Sequence, residues 1–272
     1  MTEKIDFDDR NSWFEPLRLA LQSALPSDLV SRLEKAELEF IEDALDLVFE
    51  LADRDEIIDR TLAFVRERIV VGFHGTRITE NELSSIQAHG LKPLKANERR
   101  ARLERALGKH PEWDSLAPRM NEALEKHGKG ERAGRREDQV HLTLSRAGLT
   151  KGFNHYLAYG AEFDQHVAQY LLGKDGLTCL ANDGVASVLR FDVPGEEAIA
   201  AVHPHFSVED VRRMGEVPNL VSELLKAWSF GQAHSDFSPD TLRVDCGLVF
   251  KEALPAAWLS GVETIDNPLS DD

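Results

Sequence analysis

The feature that most constrains the fold of this chain is a change of hydrophobic period at Ile69. Before this residue, apolar side chains recur every three or four positions between acidic ones, which is the spacing of a buried helix face. Residues 69–73 are instead a short, β-branched apolar run, which is typical of a buried strand. We expect this strand to end at the polar His74-Gly75-Thr76. The chain therefore has a helical beginning and a β-containing remainder.

The first third of the chain is predicted to be helical. One helix is expected within residues 27–52, and a second carries the apolar stripe that runs from Ile58 to Ile69. We interpret residues 1–68 as a helical N-terminal region that packs against the domain after it. A recognition module is the alternative interpretation of these helices.

A well-delimited helix is predicted directly after the first strand. Thr79 and Glu82 have the spacing of a capping box, in which each side chain bonds the backbone N–H of the other residue. Leu83 and Ile86 form a short apolar stripe, and Gly90 supplies the left-handed residue that ends a helix. The sequence thus predicts a strand, a polar turn, a helix and a Gly-Leu pair.

The rest of the chain is predicted to alternate strands with helices, which makes the fold class α+β. Residues 95–138 are interpreted as a helical insertion whose basic, glycine-containing end, from Gly128, is a mobile loop. Further strands are expected at residues 140–145, 185–193, 242–250 and 262–265, with a helix near 161–172 closed by Gly173 and short helices after Ser207 and Asn219.

Charge and composition restrict the partners of this chain. The net charge of −16 disfavours a general nucleic-acid binder, because such binding depends on Lys and Arg displacing counterions. Only the insertion is locally basic, with 12 Lys and Arg against 9 Asp and Glu, so that segment remains able to meet a polyanion. The two cysteines allow at most one bridge, and no stretch approaches the roughly 20 apolar residues of a membrane span. We expect a cytoplasmic protein with no export leader and no membrane partner.

The sequence of strand, His-Gly-Thr, helix and Gly-Leu resembles the opening of the ADP-ribosyltransferase superfamily, which includes diphtheria-type toxins and poly(ADP-ribose) polymerases. The resemblance implies a split antiparallel β-sheet domain over residues 69–272 and NAD as the substrate. It also implies that His74 bonds the adenosine ribose and that the backbone of Gly75 pairs with the nicotinamide amide, with Thr76 in the same NAD-binding segment. A flat amide needs a backbone without a side chain, which glycine supplies.

Two later segments extend this resemblance. Residues 139–145 occupy the place of the superfamily's second motif, a strand that bears Tyr or His and ends in Ser or Thr. This makes His141 a candidate catalytic residue and Ser145 a candidate NAD-binding residue, although an exposed His on an ordinary strand is the alternative. Residues 245–259 resemble the last catalytic strand and its Pro-containing turn, with Asp245 where the superfamily has Glu.

The implied reaction is cleavage of the nicotinamide–ribose bond through an oxocarbenium-like transition state, assisted by a carboxylate on the ribose 2′-OH. Because Asp245 is one methylene shorter than Glu, the catalytic carboxylate is open between it and Glu162. Glu162 lies in residues 155–163, where Tyr156 and Tyr159 are candidate NAD-binding residues that stack on nicotinamide. The alternative is that both tyrosines are core residues at helical spacing.

The predicted function is that of an NAD-dependent mono-ADP-ribosyltransferase acting on an unidentified protein or nucleic acid, as toxins and defence effectors of bacteria do. Two alternatives stay open. Val140-His141-Leu142-Thr143 also resembles the RNA 2′-phosphotransferases, and a catalytically inactive binding module is the other interpretation. No metal site is predicted, because His203-Pro204-His205 has no partner at a recognisable ligand spacing.

Overall fold

The computed structural model describes residues 3–128, 138–242 and 246–269, and it is an α+β protein built on one six-stranded sheet that is not closed. The strands are β1 (Lys4–Ile5), β2 (Ile69–Ile78), β3 (Val140–Thr143), β4 (Val185–Pro194), β5 (Gly247–Phe250) and β6 (Leu259–Thr264). The helices are α1 (Arg10–Leu21), α2 (Leu29–Lys35), α3 (Ile41–Leu51), α4 (Arg54–Arg66), α5 (Glu80–His89), α6 (Arg100–Leu107), α7 (Trp113–Leu116), α8 (Met120–Gly128), α9 (Arg146–Lys151), α10 (His155–Tyr159), α11 (Glu162–Leu172), α12 (Lys174–Ala181), α13 (Gly195–Val202), α14 (Val208–Arg213) and α15 (Asn219–Ala233).

The strands follow the order β5-β3-β2-β4-β6, and β1 pairs in parallel with β2. Strands β4 and β6 are antiparallel, with Ser187 opposite Thr264. The expectation that the first strand ends at His74 is wrong, because β2 continues through this residue to Ile78. His74 and Thr76 are partly exposed while Gly75 between them is buried, so the polar side chains lie on the accessible face of a continuing strand.

Several predicted boundaries also differ from the structure. Residues 27–52 form two helices, α2 and α3, and the second begins where the Asp43 carboxylate accepts a bond from the Phe40 backbone N–H (3.2 Å). The strand predicted at 140–145 ends at Thr143, and the one predicted at 242–250 begins at Gly247. Helix α15 spans 15 residues rather than being short.

Three helix termini that were predicted from local sequence are confirmed: the start of α5, the end of α5 and the end of α11. The Thr79 backbone N–H donates to the Glu82 carboxylate (2.8 Å), and the Glu82 N–H donates to the Thr79 hydroxyl (3.3 Å). Helix α5 ends at Gly90, which has a φ of 83°, and α11 ends at Gly173, which has a φ of 58°. A Cβ atom at Gly90 would lie 1.9 Å from the carbonyl oxygen of Leu254, so this position also requires glycine for close packing.

The chain divides into two compact units. Unit 1 comprises residues 1–72, 143–147 and 192–248. In it α15 packs on α2 and α3, while α4 packs on α1 and α13, around the fully buried side chains of Trp13 and Trp228. Unit 1 is therefore a helical core with large aromatic residues at its centre.

Unit 2 comprises residues 73–142, 148–191 and 249–272. Its main helical core joins α6 and α8 of the insertion to α11 and α12. The buried residues of this core are Leu103, Ala106, Leu107, Met120, Ala123, Phe163, Val167, Ala168, Leu171 and Leu180. The insertion is helical, as predicted, and it supplies half of a core. Residues 129–137, which include most of its predicted mobile loop, lie outside the described residues, and the domain boundary predicted after residue 68 stays a prediction.

Across the described ranges, no helix combines the length and the apolar character that crossing a lipid bilayer requires.

Candidate functional site

The first candidate residue, His74, lies on β2 and is bonded to the neighbouring strand β3. Its Nδ1 lies 2.9 Å from the carbonyl oxygen of His141. A carbonyl oxygen only accepts, so Nδ1 carries the proton and the neutral ring keeps a free lone pair on Nε2. Burial lowers the pKa of His74, and the positive charge of Arg99 lowers it further. His74 is therefore a neutral imidazole at neutral pH, and its Nε2 is an acceptor.

Gly75 and Thr76 follow His74 on the same strand. A Cβ atom at Gly75 would lie 3.0 Å from Leu149 Cδ2 and 3.3 Å from Leu157 Cδ2, so packing alone favours a small residue there. The Thr76 hydroxyl makes only a long contact of 3.5 Å with the carbonyl oxygen of Arg77. The NAD-binding roles of both residues stay predictions.

A second group of candidate residues surrounds the carboxylate of Glu162. The hydroxyl of Tyr156 donates to Glu162 Oε1 (2.8 Å), and Nε2 of His155 lies 3.4 Å from the same oxygen. The rings of His155 and Tyr156 are 4.1 Å apart. Glu162 is the first residue of α11, where the helix dipole favours negative charge, and its side chain is 34% exposed. The structure thus presents an oriented carboxylate that solvent reaches.

The two tyrosines of this segment have different surroundings. Tyr156 bonds the carboxylate of Glu162, whereas Tyr159 packs against the helical core of unit 2, in which Phe163 is buried. The core interpretation therefore fits Tyr159, and the NAD-binding roles of both tyrosines stay predictions.

A buried ion-pair network lies beside these groups. The Arg99 guanidinium donates two bonds to the Asp164 carboxylate, one from Nε to Oδ1 (3.0 Å) and one from Nη2 to Oδ2. Arg102 Nε lies 3.2 Å from Asp164 Oδ2, and Arg102 Nη1 donates to Glu82 Oε1 (3.0 Å). Asp164 is fully buried, and it lies two residues after Glu162 in the first turn of α11. The network therefore anchors the turn that carries the Glu162 carboxylate.

The charges of this network shift the pKa values of its members. Burial alone would raise the pKa of Glu82, but Arg102, the bonds from Thr79 and Arg105 outweigh it and lower that pKa to about 2. Burial alone would lower the pKa of Arg99, but the charge and hydrogen bonds of Asp164 raise it. Both groups are consequently charged at every pH at which the protein is expected to work.

Sequence reasoning missed Arg99, Arg102 and Asp164. A signal was present, because Arg99, Arg102 and Arg105 recur at three-residue spacing and so share one face of the helical insertion. Nothing in the sequence indicated which acid this face meets, because Asp164 is 65 residues away from Arg99.

Of the two remaining catalytic candidates, His141 lies within the described residues and Asp245 does not. His141 lies on β3, where its Nε2 is 3.1 Å from Gln139 Oε1 and its carbonyl oxygen accepts from His74. Asp245 lies outside the described residues, so its predicted role stays a prediction. Within unit 2 the structure therefore brings His74 together with His141, and Glu162 together with Tyr156.

Ser145 lies in unit 1 and has a bonding pattern of its own. Its side chain is fully buried, and its hydroxyl donates to Asp8 Oδ1 (2.8 Å). The second oxygen of Asp8 accepts from the backbone N–H of Arg146 (2.7 Å), at the start of α9. In this structure the hydroxyl of Ser145 therefore helps to cap a helix, and its predicted NAD-binding role stays a prediction.

The described residues hold no group of three or more His, Cys, Asp or Glu side chains arranged to bind a metal ion. Nε2 of His203 accepts a bond from the backbone N–H of Asn219 (3.1 Å), at the start of α15. Cys179 and Cys246 are both free thiols.

Comparisons of the chain with protein-family models, with curated proteins and with solved structures gave no match. The functional argument therefore rests on the residues and geometry of unit 2.

Proposed function

We propose that this protein is an NAD-dependent mono-ADP-ribosyltransferase with an ADP-ribosyltransferase-like fold. One observation carries the proposal. The three segments that resemble the superfamily's motifs lie far apart in the sequence, yet they supply the strands β2, β3 and β5, which are consecutive neighbours in the order β5-β3-β2. Residues that form one site in the superfamily must lie on neighbouring strands, and this arrangement meets that requirement.

The chemistry of the described residues suits this proposal. The free lone pair on Nε2 of His74 is an acceptor for a ribose hydroxyl, and the neutral ring does not repel the positively charged nicotinamide. Glu162 offers a carboxylate for the ribose 2′-OH, and Tyr156 restricts how that carboxylate turns. A carboxylate held in this way stabilises positive charge that develops on the ribose.

The first experiment measures nicotinamide release from NAD⁺ by the purified full-length chain and by His74→Asn. The amide N–H of Asn can still donate to the carbonyl oxygen of His141, but Asn has no counterpart of the imidazole Nε2. We expect release to fall about 100-fold, the effect of removing one polar contact from an active site. The control is His89→Asn, which changes an exposed histidine at the end of α5 and should leave release unchanged.

The second comparison identifies the catalytic carboxylate. Glu162→Gln keeps the side-chain volume and an acceptor for Tyr156 but removes the charge. Its control is Glu80→Gln, because Glu80 is also the first residue of a helix and is exposed. If Glu162 is the catalytic group, Glu162→Gln abolishes release; loss of release in Asp245→Asn alone assigns the role to Asp245.

The outcome with the unmodified chain separates the alternatives. Absence of both nicotinamide release and NAD⁺ binding would refute the proposal. Binding without release, even with added protein and RNA acceptors, would instead support an inactive binding module. NAD⁺-dependent loss of phosphate from a 2′-phosphorylated RNA would support the phosphotransferase alternative.

A further inference from the structure

The guanidinium group of Arg99 is held rigidly with one edge open. Its Nε and Nη2 both bond the Asp164 carboxylate, which is fully buried. Among the described residues, Nη1 makes no hydrogen bond, in contrast to Nε and Nη2. The whole side chain is 23% exposed. Arg99 therefore presents a fixed donor edge whose orientation Asp164 determines.

Backbone bonds locate Arg99 near the candidate site residues of unit 2. The backbone N–H of Asp138 donates to the carbonyl oxygen of Leu94 (2.9 Å), which brings the segment leading to Arg99 beside the approach to β3. His74 bonds the second residue of that strand, His141. The charge of Arg99 reaches His74 strongly enough to lower the pKa of the imidazole.

The same arginine is tied to the Glu162 side of the site. Asp164, its bidentate partner, lies in the first turn of α11, two residues after Glu162. Arg99 is thus linked to β2 and β3 on one side and to the turn that bears Glu162 on the other.

Arginines and carboxylates alternate around Arg99, and one of the arginines has no carboxylate bonded to it. Four arginines (Arg77, Arg99, Arg102 and Arg105) share this cluster with three carboxylates (Glu82, Asp164 and Asp183). The guanidinium of Arg77 bonds backbone carbonyl oxygens instead of a carboxylate. Among the described residues no carboxylate bonds the Arg77 guanidinium, and its positive charge favours a small anion in this cluster.

We propose that Arg99 is an anion-binding residue of this site and that its open edge contacts the diphosphate of the dinucleotide substrate. This inference rests on the proposed function and adds the group that recognises the phosphates. Guanidinium groups bind phosphate oxygens through directed pairs of N–H donors. Because Asp164 already immobilises the side chain, binding an anion costs little additional side-chain entropy.

The test uses inorganic pyrophosphate and NAD⁺ with the full-length chain. Calorimetry measures pyrophosphate binding, and nicotinamide release gives KM and kcat for NAD⁺. In Arg99→Gln we expect pyrophosphate affinity and the apparent affinity for NAD⁺ to fall about 10- to 100-fold, with a much smaller change in kcat. The matched control is Arg100→Gln, which alters the adjacent, half-exposed arginine that pairs with Glu104 and should leave both affinities unchanged.

A second variant protects the test against misfolding. Arg99→Gln alone leaves the buried Asp164 with fewer partners, whereas Arg99→Gln combined with Asp164→Asn removes both charges and leaves Arg102 paired with Glu82. We expect the double variant to show the same loss of pyrophosphate affinity. Arg99→Lys keeps the charge opposite Asp164 but lacks the planar fork, so its affinity should be intermediate.

The possible outcomes are separable. The inference is overturned if the unmodified chain does not bind pyrophosphate, or if the folded variants bind it as tightly as the unmodified chain. A loss that appears in kcat alone would also overturn it, because that pattern indicates a positioning effect. If the unmodified chain releases no nicotinamide but Arg99→Gln abolishes pyrophosphate binding, the anion site stands and the proposed transferase activity fails.

Discussion

The two units differ in the kind of polar group that they bury. In unit 1 the buried polar side chains are the hydroxyls of Thr61, Ser145 and Ser229, and Thr61 and Ser229 bond carbonyl oxygens of their own helices. Unit 2 buries the hydroxyl of Ser187 and, in addition, the charged side chains of Arg102 and Asp164. Buried charges are costly unless they are paired, and Arg102 and Asp164 offset this cost by pairing with each other and with Arg99 and Glu82.

The ion pairs that Arg212 makes in unit 1 lie at its surface. Arg212 pairs with Asp55 and Asp59, whose side chains are 76% and 60% exposed. Such pairs contribute at most about 1 kcal/mol each. The difference indicates that unit 1 is stabilised mainly by apolar packing, whereas unit 2 depends on charges that also shape its candidate site.

The largest expected effect tests this contrast directly. Asp164→Asn leaves Arg99 and Arg102 without their shared carboxylate, and we expect the free energy of unfolding to fall by about 3–5 kcal/mol. The control Asp55→Asn removes an exposed partner in unit 1 and should cost less than about 1 kcal/mol. Urea unfolding of both variants is the measurement, and equal losses would contradict the contrast.

The next effect tests packing in unit 1. A Cβ atom at Gly195 would lie 1.8 Å from the carbonyl oxygen of Val65, so Gly195→Ala must displace backbone and should cost about 3 kcal/mol. At Gly215 no atom lies within 4 Å of such a Cβ, and only the positive φ of 82° opposes alanine. Gly215→Ala should therefore cost about 1 kcal/mol. A cost at Gly195 no larger than at Gly215 would refute the packing argument.

A third prediction concerns acid stability in unit 2. The pKa of Glu82 is lowered from its usual 4.5 to about 2, so its contribution to stability is present above pH 4.5 and is lost as the pH falls towards 2. Glu82→Gln should reduce stability by about 2 kcal/mol at pH 7 and flatten the dependence between these two pH values. Urea unfolding from pH 2 to 7 is the measurement. The control Glu80→Gln, on the same helix, should leave the dependence of stability on pH between 2 and 4.5 unchanged.

The smallest effect concerns His203 in unit 1. Burial lowers the pKa of His203 below its usual value of 6.5, so the neutral ring contributes fully to stability above pH 6.5. As the pH falls below 6.5, the unfolded chain takes up a proton before the folded chain does, and this contribution decreases. His203→Gln should cost about 1 kcal/mol at pH 7, the value of one helix-capping bond, and should remove this slope. Thermal unfolding at pH 5 and 7 is the measurement. If the exposed His205→Gln lowered stability by the same amount and removed the same slope, the capping role of His203 would be excluded.

Local features of this fold could be predicted from the sequence, because their causes lie within a few residues. The capping box of Thr79 and Glu82 and the glycine stops at Gly90 and Gly173 are examples. The break between α2 and α3 was missed because the apolar spacing continues across it, while the Asp43 bond to Phe40 restarts the helix.

The candidate site could be predicted only in part. Motif resemblance selected His74, whereas Glu162 was selected because it lies with two tyrosines in residues 155–163, and the Tyr156 bond to Glu162 follows from their closeness in the chain. The pairing of Arg99 with Asp164 depends on how two helices pack, and no local pattern encodes that choice. Periodicity likewise suggested that Tyr156 and Tyr159 share one environment, whereas one contacts a carboxylate and the other a core.

The bond between Leu94 and Asp138 also bears on local unfolding. It joins the two ends of the insertion, whose described helices α6 and α8 share one apolar core with α11. Detaching the insertion would expose that core, so amide hydrogens of α6, α8 and α11 should exchange with solvent as one cooperative group. Any such opening would withdraw Arg99 and release the turn bearing Glu162 together. Under the proposed function, the fraction of molecules competent to bind NAD⁺ is set by the local stability of this core, and NAD⁺ should slow hydrogen exchange in all three helices.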